Sequence, residues 1–134
     1  MAGYSDTPLH RKLGIREGGR VVLVGAPAGL ADALEPLPAG VVLLGRARGP
    51  LDVVLLFATR ADDVERRFGA LAAKLRPAGG LWLCWPKRSS GVPTDVTEGR
   101  LREICLSHGL VDNKVCAIDE TWSALRFVWR LANR

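Results

Sequence analysis

The sequence is poor in the residues that build metal centres, disulfide frameworks and aromatic binding surfaces. It has three cysteines, two histidines and 6% aromatic residues in 134 positions. Cys84, Cys105 and Cys116 are odd in number and lie far apart among apolar neighbours, which indicates reduced core thiols. With only His10 and His108 to complete a ligand set, we expect no metal site.

The sequence also lacks a long apolar run. No stretch approaches the roughly 20 apolar residues of a membrane span, and the first six residues lack the charged and apolar parts of a secretory signal. We therefore expect a cytoplasmic protein with no membrane partner. The composition, 48% hydrophobic and 25% charged, is ordinary for a globular domain. The length predicts one domain over residues 1–134, with a short helix and turn in residues 1–19 packed on it.

The middle of the chain predicts a strand, a helix and a second strand. Residues 51–58 form an apolar run rich in Val and Leu, which is the pattern of a strand buried on both faces. From Ala61 the apolar residues recur three and four apart, and this spacing predicts an amphipathic helix that Thr59 caps and Pro77 ends. Residues 81–85 predict the next strand, and the intervening helix implies a right-handed parallel crossover.

The rest of the chain predicts further strands on either side of this unit. We place them at residues 20–24, 41–44, 111–118 and 122–131, with a short first helix that Thr7 caps and a last helix that starts at the capping pair of Asp95 and Glu98. The last strand alternates apolar and polar residues, which indicates a half-exposed antiparallel strand. The predicted fold is α/β: a three-layer, Rossmann-like sheet of about six mostly parallel strands with an antiparallel C-terminal hairpin.

The orientation of the second strand stays open. If it is parallel, residues 45–50 must recross a sheet about 17 Å deep, and six residues reach at most about 20 Å. A shorter strand, or an antiparallel one, would relieve this constraint.

The predicted ligand site lies at the carboxyl ends of the parallel strands, where open α/β sheets bind ligands. The candidate residues there are Gly25, Pro27, Gly29, Thr59, Trp85, Lys87, Arg88, Ser89, Ser90, Asp119, Glu120, Trp122 and Ser123. Cationic side chains and backbone N–H groups after the fourth strand could cradle an anion, the tryptophans could stack on a ring, and the acids could orient a hydroxyl or amine.

The alternative is that these groups serve packing alone. In that case Lys87 pairs with Asp119 or Glu120, the two tryptophans are buried, and residues 89–94 form a linker. No catalytic residue is predicted, because neither histidine is placed to activate a serine and no cysteine has an evident base.

The order of elements resembles the sheet of class I methyltransferases. Residues 22–29 lie where that family has an acid-x-Gly-x-Gly-x-Gly cofactor loop. Leu23 stands at the acid position, and Pro27 replaces the middle glycine, which adds a ring and removes an N–H. After the second strand, Gly45-Arg46 stands where the family has an acid for the ribose hydroxyls. The resemblance implies the fold, and these departures favour a degenerate site with no cofactor.

Almost the whole chain is also similar to a family of small bacterial proteins, domain-of-unknown-function family 3052. The matching residues are Gly3-Tyr4-Ser5, Thr7-Pro8-Leu9, Leu13-Gly14-Ile15, Trp85-Pro86-Lys87, Asp95, Thr97-Glu98 and the run from 109 to 123. This resemblance implies no particular activity.

Three functional hypotheses follow. The first is a non-catalytic binding or regulatory module that dimerises through its final hairpin or recognises a phosphate-bearing small molecule. The second is an enzyme that uses an adenosylmethionine- or nucleotide-type cofactor. The third is a nucleic-acid-binding protein, because the net charge of +5 comes mostly from scattered arginines.

Overall fold

The computed structural model describes residues 7–134, in which strands alternate with helices before a closing hairpin. The first six residues, with Gly3-Tyr4-Ser5, lie outside the described residues. The helices are α1 (Leu9–Lys12), α2 (Leu30–Ala33), α3 (Ala61–Ala73) and α4 (Glu98–Leu106). The strands are β1 (Arg20–Val24), β2 (Val42–Leu44), β3 (Leu51–Phe57), β4 (Leu75–Pro86), β5 (Leu110–Ala117) and β6 (Trp122–Trp129). Short 3-10 turns follow β4 at Arg88–Ser90 and β6 at Leu131–Asn133.

The strands form one sheet in the order β2-β1-β3-β4-β6-β5. The strands β2, β1, β3 and β4 run parallel to one another, whereas β6 is antiparallel to both β4 and β5. The predicted α/β sheet with a reversed last strand is confirmed. In the described part of the chain, no helix is long and apolar enough to cross a membrane.

The second strand, whose orientation the sequence left open, is short and parallel to β1. β2 has three residues, and Arg20, Val21 and Val22 of β1 pair with them in parallel register. The short strand leaves residues 45–50 enough length to recross the sheet. Side chains from elsewhere hold this connection, because Lys74 Nζ donates to the carbonyl oxygen of Ala47 at 2.8 Å and Arg20 Nε donates to that of Pro50 at 2.7 Å.

Apolar side chains cover both faces of the sheet, as the continuous run in β3 predicts. One face packs against α3 and α4 through residues such as Val54, Phe68 and Leu101, all fully buried. The other face packs against α1 and α2, and there the indole Nε1 of Trp82 donates to the carbonyl oxygen of Leu13 at 3.0 Å. This bond ties the segment before β1 onto the middle of the sheet.

The boundary between α3 and β4 differs from the prediction. α3 ends at Ala73, and β4 already begins at Leu75, which pairs with Leu51, so Pro77 lies inside a strand and does not end the helix. Proline is tolerated there because the β3–β4 register shifts between Leu51 and Val53, which leaves the ladder locally interrupted.

All three predicted helix caps were wrong. Thr59 does not cap α3, since the N-cap position is Arg60 without a side-chain hydrogen bond. Asp95 does not cap α4, whose N-cap Thr97 accepts from the N–H of Arg100 at 3.1 Å. The predicted cap of α1 was Thr7, but the N-cap position of that helix is Pro8 and has no side-chain cap bond.

Asp95 instead caps the distant helix α3. Its Oδ1 accepts from the N–H of Ala61 at 2.8 Å, while its own N–H donates to the carbonyl oxygen of Thr59 at 3.4 Å. The hydroxyl of Thr94 also donates to that carbonyl, at 2.6 Å. A free N–H at the start of α3 is thus satisfied by the loop that precedes α4, and the loop is anchored beside the end of β3.

Asp95→Ala should lower the free energy of unfolding by about 1 kcal/mol, because it leaves a helix N–H without its acceptor. Urea denaturation followed by circular dichroism measures the change. Asp62→Ala is the matched control, since Asp62 is an exposed acid in the first turn of the same helix with the same charge. Equal losses in the two variants would contradict the capping role.

The final strand is more buried than predicted. β6 lies between β4 and β5, so Ala124, Leu125, Phe127 and Val128 are all buried. The exposed edge of the hairpin is β5, where the side chain of Val115 is 53% exposed. Alternation predicted one open face. Leu125 and Phe127 instead belong to the core under α3 and α4, and Ala124 belongs to the core on the other face, where Arg126 is half-buried.

Candidate functional site

The structure brings the end of β4 and the start of β6 together, as the predicted site requires. Trp85 pairs with Ser123 and Pro86 with Trp122 across the antiparallel ladder. Lys87 reaches the hairpin turn, where its Nζ donates to the carbonyl oxygen of Asp119 at 2.7 Å. These predicted residues therefore lie at one edge of the sheet, and Lys87 binds a backbone oxygen of the turn.

The two tryptophans at this edge are packed on opposite faces of the sheet. Trp85 is 9% exposed and belongs to the core under α3 and α4. Trp122 packs against the other core, with its ring edge-on to Phe57 at a centroid distance of 5.1 Å. The rings do not face one another, so they form no common clamp for a planar ligand.

Polar groups of this edge are engaged in local turns. The Asp119 carboxylate accepts from the N–H groups of Thr121 and Trp122, both at 2.8 Å, and so shapes the hairpin turn. The hydroxyl of Ser90 donates to the carbonyl oxygen of Lys87 at 2.6 Å and accepts from the N–H of Val92 at 3.2 Å. Arg88, Ser89 and Glu120 are exposed, and Ser123 is half-buried. The packing alternative thus accounts for many of these contacts, although a ligand at this edge remains a prediction.

A small hollow does open beside this edge. It has a volume of about 410 Å³ and lies between Trp85, Arg88 and the loop of Pro93 and Thr94, with Glu98 on its wall. The carboxylate of Glu98 is the acceptor for Arg102 Nη2 at 3.1 Å. The hollow therefore carries one exposed cation and one acid that is already paired.

The predicted loop after β1 makes a tight contact at the centre of the sheet. Gly25 has a φ of +69°, and a Cβ there would lie 2.9 Å from the carbonyl oxygen of Phe57. Gly29 has a φ of +85° and starts the four-residue α2, while the carbonyl oxygen of Pro27 accepts from the N–H of Leu30 at 3.3 Å. Only glycine combines the positive φ with this close approach, which explains Gly25.

A larger opening lies at the ends of β1 and β2, and of its lining residues only Gly25 was among the predicted site residues. We call it the β1–β2 groove; it has a volume of about 500 Å³ and is lined by Val22, Leu23, Val24, Gly25, Gly45, Arg46, Ala47, Arg66, Arg67, Ala70 and Leu71. Its floor is apolar and comes from β1 and α3. The signal that could have found it is Arg46, which stands where the methyltransferase family has an acid.

The charge of the β1–β2 groove is positive. Among the described residues, none that lines the groove is acidic. Arg66 forms an ion pair with Asp63 on the same helix. Arg46 and Arg67 are exposed and form no ion pair or side-chain hydrogen bond with any residue from 7 to 134. Two unpaired guanidinium groups therefore flank an apolar floor.

The cysteines offer no activated nucleophile. Burial raises the pKa of Cys84 well above its ordinary value, and the neighbouring Cys116 and Asp119 raise it further. Burial also raises the pKa of Cys105 and Cys116. All three thiols are free and stay protonated near neutral pH. No cluster of three or more metal-binding side chains is present within residues 7–134.

Comparisons with known proteins identify the fold. No protein-family model matches the chain and no curated protein matches it, so the similarity to the small bacterial family stays a prediction. Among solved structures, the chain resembles magnesium protoporphyrin IX methyltransferase from Synechocystis PCC 6803 with bound SAM, with 11% identity over 91% of this chain and 74% of that one and a TM-score of 0.65.

Two further solved structures show the same likeness. Precorrin-6y C5,15-methyltransferase from Geobacter metallireducens GS-15 has 12% identity over 91% of this chain and 86% of that one, with a TM-score of 0.60. Mitomycin 7-O-methyltransferase has 14% identity and a TM-score of 0.61 over 84% of this chain, which spans 49% of that protein. At these identities the likeness is one of fold, so the chain is an α/β domain of methyltransferase-like architecture.

Proposed function

We propose that this chain is a binding module with a methyltransferase-like fold, whose ligand is a phosphate-bearing small molecule held in the β1–β2 groove. The observation that carries the proposal is Arg46, an unpaired arginine at the carboxyl end of β2. In dinucleotide-binding sheets an acid at this place binds ribose hydroxyls, whereas an arginine nearby accommodates a phosphate. The exchange of acid for arginine therefore changes the preferred ligand from a neutral ribose to an anion.

The groove fits a ligand with an apolar or aromatic body and a charged end. Val22, Val24 and Leu71 offer the body an apolar floor, while Arg46 and Arg67 offer donors at the rim. Arginine presents a planar fork of N–H groups that matches a phosphate in two parallel hydrogen bonds. A volume of about 500 Å³ lies within the range of small-molecule pockets.

The departures from the family's cofactor loop support a binding role without methyl transfer. Leu23 lies where the family has an acid, and Pro27 carries a ring and no N–H at a place where the backbone must approach the cofactor. Adenosylmethionine carries a positively charged sulfonium, which Arg46 and Arg67 would repel. An enzyme of the methyltransferase class is the second candidate, because methyltransferases recur among the solved neighbours, one of them with bound SAM.

Calorimetric titration separates the two candidates. We expect AMP and ATP to bind. Adenosine and adenosylhomocysteine should bind at least about tenfold more weakly, because they lack the phosphate and its charge-assisted hydrogen bonds, and adenosylmethionine should not bind. Tight binding of adenosylmethionine, with no preference for the phosphate-bearing ligands, would overturn the proposal in favour of the enzyme.

Nucleic-acid binding and dimerisation are two further predictions from the sequence. If the arginine surplus serves nucleic acid, an oligonucleotide binds at low salt and its affinity falls steeply as salt rises. The predicted homodimer through the final hairpin would use β5, whose outer edge is unpaired within the described chain. Both stay predictions.

A further inference from the structure

A second cluster of arginines lies at the opposite end of the sheet from the β1–β2 groove. We call it the arginine cleft; it has a volume of about 650 Å³ and lies between the turn of residues 14–19 and the start of β3 and β4. The charged residues on its walls are Arg16, Glu17, Asp52, Arg76 and Arg126. It shares no lining residue with the β1–β2 groove.

Arg126 is the residue that makes this cleft unusual. It lies in the interior strand β6, opposite Trp82, and is half-buried. Its guanidinium rests on the backbone of β4, because a Cβ at Gly80 would lie 2.3 Å from Arg126 Nε and 2.8 Å from its Cζ. Glycine at position 80 therefore makes room for the guanidinium on the face of the sheet.

The guanidinium of Arg126 has no counter-ion among residues 7–134. It forms no ion pair and no side-chain hydrogen bond with any residue in the part of the chain that the structure describes. Burial lowers the pKa of Arg126, and the nearby cations Arg134 and Arg16 lower it further. A partly desolvated charge without a partner costs stability, and neighbouring cations add to that cost.

The acids of the cleft do not relieve this excess of positive charge. Asp52 is already engaged, since its Oδ1 pairs with Arg76 Nε at 3.1 Å and its Oδ2 accepts from the N–H of Arg20 at 2.9 Å. Glu17 is exposed at the rim. Arg16 is also exposed and makes no side-chain bond within residues 7–134. Two cations thus face the cleft with their donors unused.

We propose that the arginine cleft is a second anion site, in which Arg126 and Arg16 bind a phosphoryl group of a phosphate monoester or of free phosphate. Two guanidinium groups supply several N–H donors in planar forks, and a phosphoryl group accepts bidentate pairs from them. The anion supplies the missing counter-charge for Arg126. This site does not depend on ligand binding in the β1–β2 groove.

The test compares thermal stability in sodium phosphate and in sodium chloride at equal ionic strength. We expect phosphate to raise the melting temperature of the native chain, and Arg126→Gln to weaken the phosphate affinity roughly 10- to 100-fold. Without phosphate, Arg126→Gln should melt no lower than the native chain, because it removes an unpaired half-buried charge. Arg130→Gln is the matched control, an exposed arginine in the same part of the chain.

Further variants keep the result decisive. Arg16 lies on an exposed turn, so Arg16→Gln should weaken phosphate binding without disturbing the core. This variant tests the proposal even if Arg126→Gln does not fold. In an Arg46→Glu background, which removes any contribution of the groove, Arg126→Gln should still weaken the phosphate response, and this separates the arginine cleft from the groove. Glycerol 3-phosphate tests the monoester, since tighter binding than free phosphate assigns the site to a monoester and weaker binding assigns it to the free ion. An equal effect of phosphate and chloride, or an unchanged response in both the Arg16 and Arg126 variants, would overturn the proposal.

Discussion

Replacing Phe68 with alanine should lower the free energy of unfolding by about 3 to 5 kcal/mol. Phe68 lies on the inner face of α3 and is fully buried. Its ring packs edge-on against Phe127 of β6 at 6.4 Å and against His108, just after α4, at 5.1 Å. The substitution removes these aromatic contacts and leaves a cavity between α3 and the sheet.

Urea denaturation measures this loss, with Leu131→Ala as the control. Leu131 is 80% exposed, so its truncation should change stability by less than about 0.5 kcal/mol. A loss below about 1 kcal/mol for Phe68→Ala would mean that α3 is not packed on β6 as described.

Charge reversal at Arg46 should weaken the binding of a phosphate-bearing nucleotide by at least about tenfold. The substitution removes a charge-assisted hydrogen bond, which contributes about 1.5 to 3 kcal/mol, and adds repulsion between two negative groups. Arg46→Glu should leave the fold intact because Arg46 is exposed and has no partner among residues 7–134. Calorimetric titration with AMP measures the change.

Arg11→Glu is the matched control for Arg46→Glu. Arg11 is an exposed arginine on α1, distant from the groove, and its substitution changes the net charge by the same amount. It should leave AMP affinity within about twofold, because exposed charges beyond a Debye length are screened. If both variants weaken binding equally, the effect is one of net charge and the groove is not the site.

The sheet could be predicted because its signals are local. The apolar run of residues 51–58 and the three-and-four spacing after Ala61 each lie within one element, and both elements occur, as β3 and as α3, although α3 ends at Ala73 and not at Pro77. The caps could not be predicted, because the acceptor for the first N–H of α3 is Asp95, 34 residues away. The early start of β4 likewise depends on a residue distant in sequence, because Leu75 pairs with Leu51 of β3.

The β1–β2 groove depends on the order of strands, and for that reason it was not found from sequence. Its residues come from three separate segments, 22–25, 45–47 and 66–71, which the sheet order brings together. Arg46 differs from the family pattern, but Arg67 lies on the polar side of an amphipathic helix, where a charged residue indicates only solvent exposure. By contrast, Trp85 and Lys87 were predicted from their side-chain chemistry. In the structure Trp85 packs in the core and Lys87 donates to the carbonyl oxygen of Asp119.

The most direct test of the proposed function is a nuclear magnetic resonance titration of backbone amides with AMP and with adenosine. With AMP, we predict shifts at Gly25, Gly45, Arg46, Ala47 and Arg67, and with adenosine at the same concentration much smaller ones. Shifts confined to residues 85–90 and 119–123, or equal shifts for the two ligands, would contradict the claim that Arg46 and Arg67 of the β1–β2 groove select a phosphate-bearing molecule.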